Sequence, residues 1–570
     1  MKVNQLQRSK AQQAREAIQR IYIAMRHLFI RGSYKPLGES GRAMIEALSV
    51  LSPEIYGDLN DSERVELGGL LYVLQRLPRG IEECRFIRLI SREGFENSKF
   101  SPIVAPKRRR DSYRIDEAQM FIEMTRGRSD VYDIMTHLTF LYIEAGKIRS
   151  NSLDGKDHHI RDWLMLEDIV QKEARGEEFS KEVGYTYLST LLGRTYEEVV
   201  ETDKRFQAAG SDVNSLFHIV YWLGKRSIEE FREGKSREIS FSFALREKIG
   251  HHVYGEAWAL NLKQFLEEQD WLDRPIHIIS ANRHSVMNSL YAHAILANSD
   301  SDSIEDLARR LSMENERPAR RQVEQFARQN GMYQIEDDSG ANITVQIFDL
   351  TAIDSSHLSP EVIWNEAYVQ ESRPLLLVMD YAFGEQAYEV MDELLKPYIS
   401  NRKIHNLDVC SISIMGKAGI LEGIKGDIMV PTAHIFEGTA DNYPVDNQLK
   451  KEDFEGHDLA VYAGPMITVL GTSLQNREIL RFFLMSSWQA IGLEMEGAHY
   501  QKAIQSASKI RKSIRENVAL RYAYYASDNP LETGATLASG SLGMDGVKPT
   551  YLVTLKILNS IMEMGEVKKG

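Results

Sequence analysis

The hydrophobic pattern changes period partway along the chain. In "AREAIQRIYIAMRHLFIRG" the apolar positions Ala14, Ile18, Ile21, Met25 and Leu28 recur at the helical period and make one stripe, and Gly32 supplies a stop. "DVYDIMTHLTFLYIEAG" carries the same period, as does "IEDLARRL" further on, at 304–311. Residues 1–265 therefore read as a large, mostly α-helical domain whose role the sequence does not indicate.

From about Arg274 short apolar runs alternate with turns and helices. "PIHIIS", "ITVQIFDL", "PLLLVMD", "LDVCSISIM", "GDIMVP", "AVYAGPMITVL", "AIGLEM" and "ALRYAYYASD" are the expected strands, with helices over 285–297, 385–396, 476–486 and 549–562. This alternation predicts an α/β domain over 266–570 with a mostly parallel mixed sheet covered on both faces. Residues 298–342 open on the acidic "NSDSDSIED", turn helical and Arg-rich, and read as a helical insertion or lid.

Composition narrows the class. The chain has 570 residues, 43% hydrophobic and 26% charged, within the range of water-soluble folds. Its formal charge of −13 argues against a general nucleic-acid partner. "KRRR" at Lys107–Arg110 reads as a solvated loop or ion-pair surface. The two cysteines, Cys84 and Cys410, lie far apart without metal-ligand spacing, so neither a disulfide framework nor a cysteine metal site is expected. "DGKDHHIRDW" places His158 and His159 together, but adjacent residues face different ways and no third ligand is near; metal is not expected there. "GHHVYGEAW" is treated alike, and Trp258, Trp271 and Trp364 read as packing anchors. "MKVNQLQRSKAQQ" lacks a signal-peptide core, and no apolar run suits a membrane, so a cytoplasmic protein is expected.

The candidate chemistry begins in "AIGLEMEGAHYQKAI". Glu494 and Glu496 flank Met495 between an apparent core strand and a helix, where burying a carboxylate costs several kcal/mol unless it is paired. Alone, "EME" also suits a helix N-terminus, and "SDNP" a turn. Lys417 in "MGKAGI" could supply positive charge where Gly416 and Gly419 let the backbone approach an anion. Arg283 in "SANRHS" opens a helix, a position that suits a phosphate or a surface ion pair.

Together, "IMGKAGILEGIKGDIMVPTAHIFEGTADNYP", "GLEMEGA" and "YYASDNP" resemble, in order and spacing, motifs of the nucleoside phosphorylase and nucleosidase superfamily, nearest to bacterial AMP nucleosidases. The resemblance covers roughly 274–564 and leaves the helical half unplaced. It implies that Glu496 grips ribose hydroxyls, that Met495 and Glu494 belong to the substrate side, and that Asp528 is the acid at the leaving base, with Ser527 and Asn529 beside it. It makes Gly416, Lys417 and Gly419 a turn lining the phosphate or sugar. Glu437, Thr439, Asp441 and Tyr443 form a loop of nucleotidase type, with Phe436 and Asn442 departing from the pattern. "YASDNPLETGATLASGSLGMDGVKPT" is longer and richer in Gly and Ser than the family's counterpart. "SANRHS" lacks the water-activating glutamate of methylthioadenosine nucleosidases.

Such carboxylates suit glycosidic cleavage, which develops positive charge on the sugar and negative charge on the base. The expected activity is hydrolysis of the N-glycosidic bond of a purine nucleotide to base and ribose 5-phosphate, without a cofactor. Phosphorolysis of a purine nucleoside with inorganic phosphate, and nucleotide sensing without turnover, are the alternatives. The resemblance also implies a homo-oligomer.

Overall fold

The computed structural model describes residues 9–210, 213–297, 299, 302–439, 441–532 and 542–564. Most of the Gly- and Ser-rich stretch expected before the last helix, 533–541, and much of the acidic opening at 298–301 lie outside the described residues. The chain divides into two compact units, Met1–His251 with Ser473–Ile479, and His252–Thr472 with Leu480–Gly570. The division falls before the helix Val253–Glu268 rather than at 265, because Trp258, Ala259, Leu262 and Leu266 of that helix are buried in one core with Ile276, Ile278 and Leu375. Among the described residues no helix is long and apolar enough to cross a membrane.

The first unit is not only helical. Its helices, including Lys10–Arg31, Gly127–Ser152 and Leu216–Glu233, accompany a six-stranded sheet. Its strands are β1 (Ser33–Tyr34), β2 (Phe86–Ile90), β3 (Ile103–Ala105), β4 (Arg108–Arg114), β5 (Gln119–Glu123) and β6 (Glu238–Phe241), in the order β1-β6-β2-β5-β4-β3. Strand β4 escapes a hydropathy reading because arginines fill it. Arg110 is buried, with Nη2 2.7 Å from Asp130 and 2.6 Å from Asp133, and Arg108 Nε lies 2.9 Å from Asp133. The basic run is thus an ion-paired strand and not a solvated loop.

In the second unit the strands are β7 (Ile276–Ser280), β8 (Met332–Ile335), β9 (Val345–Asp349), β10 (Leu375–Met379), β11 (Tyr398–Ser400), β12 (Lys403–His405), β13 (Val409–Ile420), β14 (Ile428–Phe436), β15 (Asn442–Pro444), β16 (Val461–Thr468), β17 (Gly492–Glu494) and β18 (Ala519–Asp528). All but the β11–β12 hairpin form a ten-stranded sheet. Alternate residues feed two cores: Ile276, Ile278, Leu375 and Leu377 one, Ile279, Leu376 and Val378 the other. Burial on both faces explains the continuous apolar runs.

The sheet is mixed rather than mostly parallel. Pairs β7–β10, β7–β13, β13–β18, β14–β16 and β16–β17 are parallel, whereas β9–β10, β8–β9, β13–β17, β14–β15 and β14–β18 are antiparallel. Strand β13 runs five residues past the expected end, with a register shift between Ala418 and Gly419, and its last residues Gly419 and Ile420 pair with β17. The pairings β13–β18–β14–β16–β17–β13 therefore close a ring. Nor is 298–342 a lid. Its helices Ile304–Leu311 and Arg317–Gln329 bury Ile304, Leu307, Val323 and Ala327 in the second core, and its end supplies strand β8.

Ring closure leaves no room at Gly492. A Cβ there would lie 2.5 Å from Met429 Sδ and 2.6 Å from the Gly419 carbonyl oxygen. Gly492→Ala should cost about 1–3 kcal/mol, the usual range for overpacking, read as a lowered urea midpoint.

Candidate active site

Glu494 ends β17, immediately before the helix Gly497–Gln505, and is 5% exposed. Both its oxygens are engaged inside the fold. Oε1 accepts from Thr468 Oγ1 at 2.5 Å and lies 3.3 Å from His434 Nδ1. Oε2 accepts from the Glu496 N–H at 2.5 Å and from the Gly497 N–H. The Thr468 hydroxyl also accepts from the Ala498 N–H at 2.9 Å, so side chains satisfy the first amides of the helix. Burial pushes the Glu494 carboxyl up, but hydrogen bonding to His434, its charge, Thr468 and the Gly497 amide together hold it below its ordinary value. Glu494, expected on the substrate side, is a structural anchor.

What it anchors is Glu496. This residue caps the helix, half-buried, and its Oε1 accepts from the Gly384 N–H at 2.8 Å, in the loop that follows β10. Around it stand Tyr500, whose hydroxyl lies 3.0 Å from Ser280 Oγ at the end of β7, and Tyr524 on β18. Burial, aided by the Glu496 charge, raises both phenols, which stay protonated. The buried Tyr524 hydroxyl finds no hydrogen-bond partner among the described residues, an unusual state for a polar group.

Asp528 ends β18 and is 7% exposed. Ser527 Oγ lies 2.5 Å from Asp528 Oδ1 and 3.1 Å from the Ala418 carbonyl, and its one proton can serve only one of these acceptors at a time. Gly419 is the register partner of both Asp528 on β18 and Leu493 on β17. At the usual strand spacing, Asp528 and the end of β17 thus flank Gly419 about 10 Å apart. Met495 is buried beside them in sequence.

Other expected site residues fall differently. Gly416, Lys417 and Gly419 are not a turn but part of β13. Gly416 lies against Tyr381, where a Cβ would make an ordinary van der Waals contact at 3.4 Å from its ring. Lys417 is exposed and lines a cavity of about 560 Å³ with Asn282, His284, Arg320, Glu324 and Tyr525. Arg283 opens the helix Arg283–Leu296 but does not line that cavity. Asn529 is occupied locally, donating to the Gly423 carbonyl and accepting from the Leu531 N–H, each at 3.0 Å. Thr439 Oγ1 donates to Asp441 Oδ2 at 3.0 Å on the surface, whereas Glu437 is buried and accepts from the Leu470 N–H at 3.4 Å.

The tempting alternatives resolve as packing. His159 Nε2 accepts from Arg232 Nη1 at 2.8 Å and its ring stacks on Trp163. Trp258 donates to the Ile343 carbonyl, Trp271 packs on Phe265 and Tyr333, and Trp364 donates to Glu366. The sequence did not single out His434, Thr468, Tyr500, Tyr524 or Gly384. The alternating tyrosines of "RYAYYASD" were the available signal for Tyr524.

Because the Glu494 carboxyl sits below its ordinary 4.5, its stabilisation is fully present above that value and is lost as pH falls through the folded value. Glu494→Gln should cost at least about 1–3 kcal/mol near neutrality and flatten the stability loss below about pH 5, measured by urea unfolding across pH.

Among solved structures, the chain is similar to the 5'-methylthioadenosine/S-adenosyl homocysteine nucleosidase of Campylobacter jejuni, at 12% identity and a TM-score of 0.31, covering 51% of this chain and 99% of that one. A futalosine hydrolase mutant of Helicobacter pylori gives 11%, 0.28, 50% and 98%, and the S. pneumoniae methylthioadenosine/S-adenosylhomocysteine nucleosidase with the inhibitor MT-ImmA gives 11%, 0.30, 50% and 99%. Likeness at this level fixes neither fold nor activity for this chain. No curated protein matches it in sequence. A family model matches residues 42–313 and 307–563, and the chain belongs to that family, DUF6909, a family of unknown function.

Proposed function

We propose that the second unit hydrolyses the N-glycosidic bond of a purine nucleotide of AMP type, giving free base and ribose 5-phosphate. The observation that carries this reading is the convergence on Gly419: Asp528 ends one of its neighbouring strands, and Glu494, which holds the Glu496 backbone, ends the other. A Glu496 carboxylate binding the ribose hydroxyls would stabilise positive charge on the sugar as the bond lengthens. Asp528, with the Ser527 hydroxyl against Oδ1, stands where a carboxyl could hydrogen-bond or protonate the departing base. Water supplies the hydroxyl that ends on the sugar, and its proton ends on the base. The unpartnered Tyr524 hydroxyl gives the substrate a further polar contact.

Lys417 supports a nucleotide over a nucleoside. It lies two residues before Gly419 on β13, about 7 Å along the strand, and with its register partner Tyr525 and Arg320 lines a cavity whose lining does not include Glu496, Asp528 or Tyr524. A cationic group at that distance suits a phosphate attached to the sugar.

Purified protein should release adenine from AMP without inorganic phosphate, followed by chromatography. Asp528→Asn and Glu496→Gln should each lower kcat/KM by about 100-fold or more. Lys417→Ala should raise KM for AMP more than for adenosine. Base release only with added phosphate would replace hydrolysis by phosphorolysis. Absence of base from AMP, GMP, adenosine, inosine and methylthioadenosine, with nucleotide binding retained, would overturn the enzyme and leave a nucleotide sensor.

A further inference from the structure

In the first unit Glu82 and Glu83 close the short 3-10 turn Ile81–Glu83, and His218 lies in the first turn of the helix Leu216–Glu233. The sequence separates them by more than 130 residues, yet their donor atoms lie within 4.8 Å of one another. His218 Nε2 is 2.9 Å from Glu83 Oε1 and 3.8 Å from Glu82 Oε1. Donors bound to one zinc ion at about 2.1 Å in tetrahedral array stand about 3.4 Å apart, between these two values. We propose that Glu82, Glu83 and His218 bind a divalent transition-metal cation of the zinc class.

Three features favour a metal over a simple ion pair. The Glu82 side chain is only 2% exposed, and among the described residues its one ion-pair contact is to the His218 imidazole, at 3.8 Å. A cation would compensate the charge that the fold leaves in a poorly solvated place. Second, the donor set mixes one imidazole nitrogen with two carboxylates, a combination suited to zinc-class ions rather than to calcium or magnesium.

Third, the ligands are themselves held. Asn214 Nδ2 donates to Glu82 Oε1 at 2.6 Å, and Arg79 Nε donates to Asn214 Oδ1 at 2.6 Å. Arg114 Nη2 donates to Glu83 Oε2 at 2.8 Å, leaving Oε1 toward His218. Such outer hydrogen bonds orient metal ligands. The His218 and Glu83 side chains are 26% and 24% exposed, which gives a cation a route in and leaves room for water as a fourth ligand. Cys84 is adjacent in sequence, but its thiol is buried and turned to the Gly80 carbonyl, 3.4 Å away, outside the group of donor atoms.

The test uses the full chain stripped with EDTA, then titrated with Zn2+ by calorimetry and with Co2+ by visible absorption. One ion per chain is expected, with a Co2+ d–d band. Glu82→Gln and His218→Ala should each weaken Zn2+ binding by at least tenfold, and Asn214→Ala by about tenfold through loss of orientation. No stoichiometric Zn2+ uptake by the wild type, or equal uptake by variants whose circular dichroism is unchanged, would overturn the site. If the variants do not fold, the wild-type spectrum decides, and the absence of a saturable Co2+ band at one equivalent would overturn it equally.

Discussion

A carboxylate buried at the end of β17 sets the terms for the second unit. Glu494 cannot be left in the core with open lone pairs, and the fold answers with a hydroxyl, an imidazole and two backbone amides. Those partners belong to β14, β16 and the following helix, so one side chain ties three elements to the end of a three-residue strand. The tie fixes the chain direction at Glu496. Without it, the short strand would contribute few ladder bonds of its own, and the ring of strands around β13 would have a weak link.

The same constraint explains why neighbouring acids have different jobs. Glu494 is saturated inside the protein, whereas Glu496 is half-buried and reaches the loop after β10. A sequence shows two glutamates with one residue between them. Strand alternation would put residues two apart on the same face; the break from strand to helix between Glu494 and Glu496 is what separates an inward carboxylate from an outward one.

The strands of the second unit were largely legible because they are buried on both faces: "ALRYAYYASD" coincides with β18, and "PIHIIS" overlaps all of β7. Legibility failed where glycine or charge masked the pattern. Gly416 and Gly419 made the end of β13 look like a turn, although both lie within the strand and Gly419 is paired on either side, with β18 and with β17. Strand β4 was hidden because Arg108 and Arg110 are neutralised by Asp130 and Asp133 from a distant helix, and tertiary ion pairing leaves no mark on local hydropathy. At the candidate site, Glu496 and Asp528 could be named from motifs. The hydrogen bonds that turn Glu494 and Asn529 to local duties could not: Glu494 draws on Thr468 and His434 from distant strands, and both residues also use backbone groups, which every residue carries.

The closed ring has a consequence for assembly. Its last member, β18, pairs with β13 more than a hundred residues earlier and with β14 on its other side. During synthesis from the N-terminus, β13 and β14 must therefore each wait with an unpaired edge until residue 528 has emerged. Long-range closure of this kind folds slowly and leaves strand edges exposed to wrong partners in the interval. The second unit should thus mature as a late, single event once β18 has been made, and a nascent chain stopped before Ala519 would be the species most in need of a chaperone.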